Sequence, residues 1–148
     1  MIVHFTRRTK DWLYKHHINS EVLRKEIIRL CRGKDNNIHP RVVINVKKSG
    51  RNSDFNPCGN VINIGRYSDS TNQKLIVKGF LRVLIHEVRH FIQYKIHKRI
   101  TNIAYTDYDF RENNHRYFND PLEIDARKFE RKHLNQLLKK IYSSIVWL

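Results

Sequence analysis

Between Asn72 and Lys98 the chain carries its longest apolar periodicity, and no other stretch so limits the folds open to it. Leu75, Leu81, Leu84, Ile85, Val88, Phe91 and Ile92 recur at helical spacing and build one broad apolar side. A helix of that kind is stable only when the side is covered, so the fold has to be assembled around it. At 148 residues the chain is expected to form one domain, residues 1–148, burying roughly two-thirds of the surface its unfolded form exposes.

Inside this helix stands "LIHEVRHFIQY", residues 84–94. Residues four apart lie about 40° apart around a helix, so His86 and His90 project from one side, a turn apart. Extending that side gives Gly79, Val83, His86, His90, Tyr94 and His97, distinct from the most apolar side. Two imidazoles from adjacent turns supply nitrogen ligands at roughly 2.0–2.1 Å from a zinc ion, and the Glu between them can address a water on the metal. Zinc lowers the pKa of such a water toward about 7 and polarises a carbonyl, while a carboxylate takes the proton and returns it to the leaving amine. On this reading His86 and His90 are metal ligands and Glu87 is the catalytic base. The competing reading is a chance pattern in a chain with 9 histidines. A third ligand downstream separates the two.

The flanking segments set the fold class. Asn19 or Ser20 can cap a helix from about Glu21 to Arg32, closed by Gly33, with Leu23, Ile27, Leu30 and Cys31 at helical spacing. "RVVINVKK" (41–48) and "NVINIG" (60–65) are rich in β-branched residues and read as strands, and "SGRNSDFNPCGN" between them as a turn-forming connection. Residues 100–110 suggest a further strand or extended segment. The expectation is an α+β fold in which a small, twisted, mostly antiparallel sheet packs on the 72–98 helix. The strand Val61 to Gly65 is expected to offer its edge to a peptide by strand addition.

"DPLEIDARKFERKHLNQLLKKIY" opens a second strong helix, with Asp120 as cap, Pro121 at the first position, and Leu122, Ala126, Phe129, His133, Leu137 and Ile141 at helical spacing. Glu123 falls three residues after the cap, so it reads either as a capping-box residue or as a rigidly delivered oxygen ligand. Asp125 reads as a complement to the helix dipole or as an alternative ligand. His115 and Tyr117, just upstream, are candidate donors to a transition state or loop residues packing their rings.

HExxH on one helix, followed 33 residues after its second histidine by a Glu that opens another helix, resembles the gluzincin metallopeptidases. "HEVRHFIQY" with "YFNDPLEIDARKFER" is similar to small intracellular and phage-type zincins related to the ImmA/IrrE group, whose second motif runs approximately E-x-E-A-N-x-F. The resemblance spans residues 60 to 131. It implies a zincin-like fold with a C-terminal ligand-bearing helix, zinc as cofactor, His86, His90 and Glu123 as ligands and Glu87 as general base. It also implies hydrolysis of peptide bonds in an intracellular protein substrate. Asp125 takes the place of the motif's second acid and stays open as the alternative ligand. Arg127 departs from the short Asn or Asp that the family carries four residues after the ligand, which leaves the support of a histidine unassigned.

The formal charge of +15 is uneven: residues 1–50 hold 12 Lys and Arg against 4 acids, residues 51–100 hold 9 against 3, and residues 101–148 hold 8 against 7. A basic field over residues 1–100 attracts polyanions through long-range forces that salt weakens, although no nucleic-acid-reading module accompanies it. It keeps open a protease acting on protein held at DNA, in the manner of SprT-like proteins. A zinc-bearing module without activity is the third reading, against which the intact Glu87 stands. Two cysteines without CxxC spacing are too few for a disulfide framework, and neither an apolar leader nor a membrane-length apolar run is visible. A cytoplasmic protein without membrane partners is the expectation.

Overall fold

The computed structural model describes residues 1–32, 40–50, 52–65, 72–96 and 119–144. It begins with a strand, β1 (Ile2–Phe5), in which Val3 and Phe5 turn inward and Ile2 and His4 outward. Thr6 then caps helix α1 (Arg7–Lys15), its hydroxyl accepting the Thr9 N–H. Thr9 is fully buried and performs a second task. Its Oγ1 donates to the Ile44 carbonyl at 2.9 Å and accepts the Val46 N–H at 2.9 Å, so one hydroxyl joins the helix to the sheet. Helix α2 (Ser20–Cys31) starts at Asn19, whose side chain accepts the N–H groups of Glu21 and Val22. Leu23 and Ile27 enter the core from it.

Strands β2 (Arg41–Val46), β3 (Asp54–Asn56) and β4 (Val61–Ile64) complete a four-stranded sheet of order β1-β2-β4-β3. The sheet is mixed, which corrects the expectation of a mostly antiparallel one. β1 with β2 and β2 with β4 run parallel, and only β3 with β4 is antiparallel. Parallel neighbours need a crossover between them. Helices α1 and α2 provide it for the first pair, and for the second the chain runs out to the edge as β3 before returning as β4. The turn that makes this return is local: the Asn56 side chain accepts the Cys58 N–H at 2.9 Å, and Asn60 closes it with a φ of 51°. The segment read as a connection thus contains a strand, and Val61–Ile64 is not an edge. Hydrogen bonds to β2 and β3 occupy both its sides.

One sheet face is apolar, with Val42, Ile44, Val46, Ile62 and Ile64 buried. The other carries a polar ladder in which Thr6 donates to Asn45, Asn45 to Asn63, and Asn63 to Asp54 at 3.2, 3.0 and 2.8 Å. Helix α3 (Gln73–Phe91) begins at Asn72, which caps the N–H groups of Lys74 and Leu75. It buries Phe80, Leu81, Leu84, Ile85, Val88 and Phe91. Leu75, expected on the apolar side, is 58% exposed in the first turn, ahead of the part of α3 that meets the sheet. After Phe91 the helix widens into a π-helical turn, Ile92–Ile96. Helix α4 (Pro121–Ser143) is capped by Asp120, and its most extensive partner is α3.

Glu26 ties α2 to α4: its buried carboxylate accepts from Lys140 Nζ at 2.8 Å and Arg29 Nε at 2.9 Å. Burial alone would raise its pKa, and these two cations outweigh that and lower it. Cys31 and Cys58 are free thiols, and burial pushes the Cys31 thiol up to about 12. No helix among the described residues is long and apolar enough to cross a membrane. The expected strand at 100–110, the closing Gly33, and His97, His115 and Tyr117 lie outside the described residues.

Candidate metal centre

α3 and α4 lie against each other so that adjacent turns of one face the first turn of the other. His86 and His90 project from α3 and Glu123 from α4. His86 Nε2 is 3.0 Å from Glu123 Oε2, His90 Nε2 is 2.9 Å from Glu123 Oε1, and the two Nε2 atoms are 3.2 Å apart. His90 and Glu123 are buried, with 7% and 1% of their surface exposed, and His86 is partly buried. Three side chains from two helices thus converge on one point. Asp120 and Pro121 fix where α4 starts, and the start fixes where Glu123 points.

The other ring nitrogens are engaged too. His86 Nδ1 lies 3.2 Å from Glu130 Oε2, and His90 Nδ1 lies 2.8 Å from Gln93 Oε1. A carboxylate oxygen and an amide oxygen accept only, so both Nδ1 atoms donate, and in the neutral rings both Nε2 atoms carry lone pairs. Two lone pairs and a carboxylate facing one another at 2.9–3.2 Å repel unless a cation lies among them. Protons can serve. Burial lowers the pKa of His86, but its hydrogen bonds to Glu123 and Glu130 outweigh this and lift it to about 9. His90 is raised in the same way, burial being outweighed mainly by Glu123. Burial would raise Glu123, yet the two histidines hold it well below the usual carboxylate range.

A metal ion could serve as well. Ligand atoms at about 2.0–2.2 Å from a tetrahedral zinc stand about 3.3 Å from one another, close to the 2.9–3.2 Å found here. Among the described residues His86, His90 and Glu123 form the one group of three or more His, Cys, Asp or Glu side chains arranged to hold a metal ion. Two imidazoles and a carboxylate, with both outer ring nitrogens hydrogen-bonded, are the donor set and the outer support that zinc takes.

Glu87 is 93% buried in the middle of α3, since only 7% of its surface is exposed. Among the described residues its carboxylate has no hydrogen-bonding partner. Burial pushes it up to about 7, against the pull of His90 and His86. A carboxyl that exchanges its proton near neutrality suits a general base.

Asp125 is turned elsewhere: it receives Arg89 Nε at 2.7 Å and Gln93 Nε2 at 2.7 Å. The Arg89 guanidinium also stacks over the Phe129 ring at 4.8 Å. Glu130, Gln93 and Arg89 carry the surroundings of the site, and the motif reading did not single them out. A signal existed for Glu130, which falls seven residues after Glu123 and therefore two turns along the same face of α4. No family model, curated protein or solved structure matches the chain.

Proposed function

We propose that the chain is a zinc-dependent metallopeptidase with a zincin-like arrangement, acting on a protein substrate. The observation that carries this reading is the convergence of His86, His90 and Glu123 across α3 and α4, with Glu87 buried beside them. A zinc ion held there would supply Lewis acidity to a peptide carbonyl and to a water. The chain supplies the rest. His86 and His90 present Nε2 lone pairs fixed by hydrogen bonds at Nδ1, and Glu123 completes the donor set. Glu87 takes one proton from the water that attacks the carbonyl carbon, and delivers it to the nitrogen as the C–N bond breaks. Base and acid are the same carboxyl, so the cycle returns it to its starting state.

The substrate has one described strand edge within reach. At the opposite edge of the sheet, Arg24 Nε donates to the Val3 carbonyl, which hinders strand addition to β1. β3 lies at the other edge, and its Phe55 packs on Phe91 and Tyr94 beside the site. A peptide added along β3 would gain backbone hydrogen bonds and lie over α3.

Glu87→Gln tests the mechanism. It is expected to keep zinc and to lose cleavage of an unfolded protein by about 100-fold or more. Unchanged cleavage would remove Glu87 from the reaction. The basic field favours a second reading, action on protein held at DNA, because Arg7, Arg8, Lys10 and Lys15 all stand exposed on α1. DNA binding that falls steeply between about 50 and 200 mM salt supports it, and no binding at low salt rejects it.

A further inference from the structure

Gln93 is 1% exposed in the π-helical turn that ends α3, and its carboxamide contacts have a fixed polarity. One end lies 2.7 Å from Asp125 Oδ2 and 2.9 Å from the Leu122 carbonyl oxygen, and the other lies 2.8 Å from His90 Nδ1. A backbone carbonyl accepts only, and so does a carboxylate paired with a guanidinium. The end that faces them is therefore the NH2 group. This leaves the amide oxygen facing His90, which requires the hydrogen of a neutral His90 ring to sit on Nδ1.

Arg89 anchors this arrangement. Its Nε donates to Asp125 at 2.7 Å, which holds the carboxylate where Gln93 has to donate to it. Leu122 adds a second acceptor from the first turn of α4, one residue before Glu123, so the amide also ties the two ligand-bearing helices together at the level of the site. Had Gln93 been free to turn over, its NH2 group would face Nδ1 and favour the opposite tautomer, with a hydrogen on Nε2 directed at Glu123.

We propose that Gln93, oriented by Asp125 and the Leu122 carbonyl, is a positioning residue that holds His90 as its Nδ1–H tautomer and presents an unprotonated Nε2 to the donor cluster. This gives Asp125 a task two steps behind the metal-facing atoms, and it supplies from α3 and its π turn the histidine support that Arg127 leaves unassigned. Gln93 stands in the π-helical turn Ile92–Ile96, and such turns are frequent at functional sites. The purpose of the tautomer rests on the metallopeptidase reading, whereas the tautomer itself does not.

The test reads the imidazole nitrogens by two-bond proton–nitrogen spectra of metal-free protein, at a pH high enough for both rings to be neutral. Wild type is expected to show His90 as Nδ1–H. Gln93→Met, of similar length and without polar atoms, is expected to shift His90 to a mixture of tautomers. It should also weaken zinc about 10- to 100-fold in competition with a chromophoric chelator. Gln93→Leu, which also removes the carboxamide, should shift the tautomer in the same direction and serves if Gln93→Met does not fold. An Nε2–H tautomer in wild type, or a tautomer unchanged in the variants, overturns the proposal. A wild type that takes up no zinc would remove the metallopeptidase reading and leave the spectra to decide this one.

Discussion

Replacing Glu123 by alanine separates its two roles, ligand and helix-start residue, by size, by pH dependence and by response to zinc. Without metal, its carboxylate faces His86 and His90 at 3.0 and 2.9 Å with 1% of the residue exposed. Breaking a buried pair of this kind costs about 3–5 kcal/mol when the partner stays charged. Here the imidazoles can shed their protons, so the loss depends on pH. His86 is raised to about 9, against an ordinary value of about 6.5. A raised group contributes its full stabilisation below the unfolded value and loses it as pH rises through the folded one. Glu123, lowered in the folded state, contributes above the ordinary carboxylate range of about 4.3.

The metal-free deficit of Glu123→Ala should therefore be largest, on the order of 3 kcal/mol, between about pH 5 and 6.5, and should shrink toward about pH 9.5. Urea unfolding followed by circular dichroism across that range measures it. Zinc at about 1,000 times its dissociation constant should add about 4 kcal/mol to wild type and far less to the variant. A capping-box residue alone would cost about 0.5–2 kcal/mol with the zinc increment intact. Equal zinc increments in wild type and variant would refute the ligand role, and a shift of that loss to Asp125→Ala would move the ligand two residues along.

Thr9→Val removes the one hydroxyl that pairs both the Ile44 carbonyl and the Val46 N–H, and should destabilise by about 1–3 kcal/mol at nearly constant volume. Denaturant melts check this, and a loss below about 0.5 kcal/mol would mean that β2 finds other partners there. Glu26, lowered by Lys140 and Arg29 despite its burial, contributes stability above the ordinary Glu value of about 4.3 and loses it as pH falls through the folded value. Wild type should then lose more stability than Glu26→Gln on acidification below about pH 4.5, and parallel pH profiles would contradict the pairing.

What the sequence made legible follows from the range of the forces involved. His86, Glu87 and His90 sit on one helix, so their relative placement is set by helical geometry alone, and Asp120 and Pro121 announce where Glu123's helix begins. β1 and β3, with four and three residues, are too short for alternation to stand out. Parallel pairing of β2 with β4 joins strands separated by another strand, which no local pattern records. The roles of Glu130 and Gln93 depend on how α3 is set against α4 and on the π turn after Phe91. Both are properties of packing. Asp125 illustrates the same limit: its spacing allows a ligand, and the side chain of Arg89 across the helix pair draws it away.

Whether His86, His90 and Glu123 together hold a metal ion is tested most directly by the zinc content of purified protein. Elemental analysis of wild type, after dialysis against a weak chelator, should find about one zinc per chain, and His86→Ala and His90→Ala should each bring this close to zero. Absence of metal from wild type that also fails to take up added zinc, or full zinc content in both histidine variants, would contradict it.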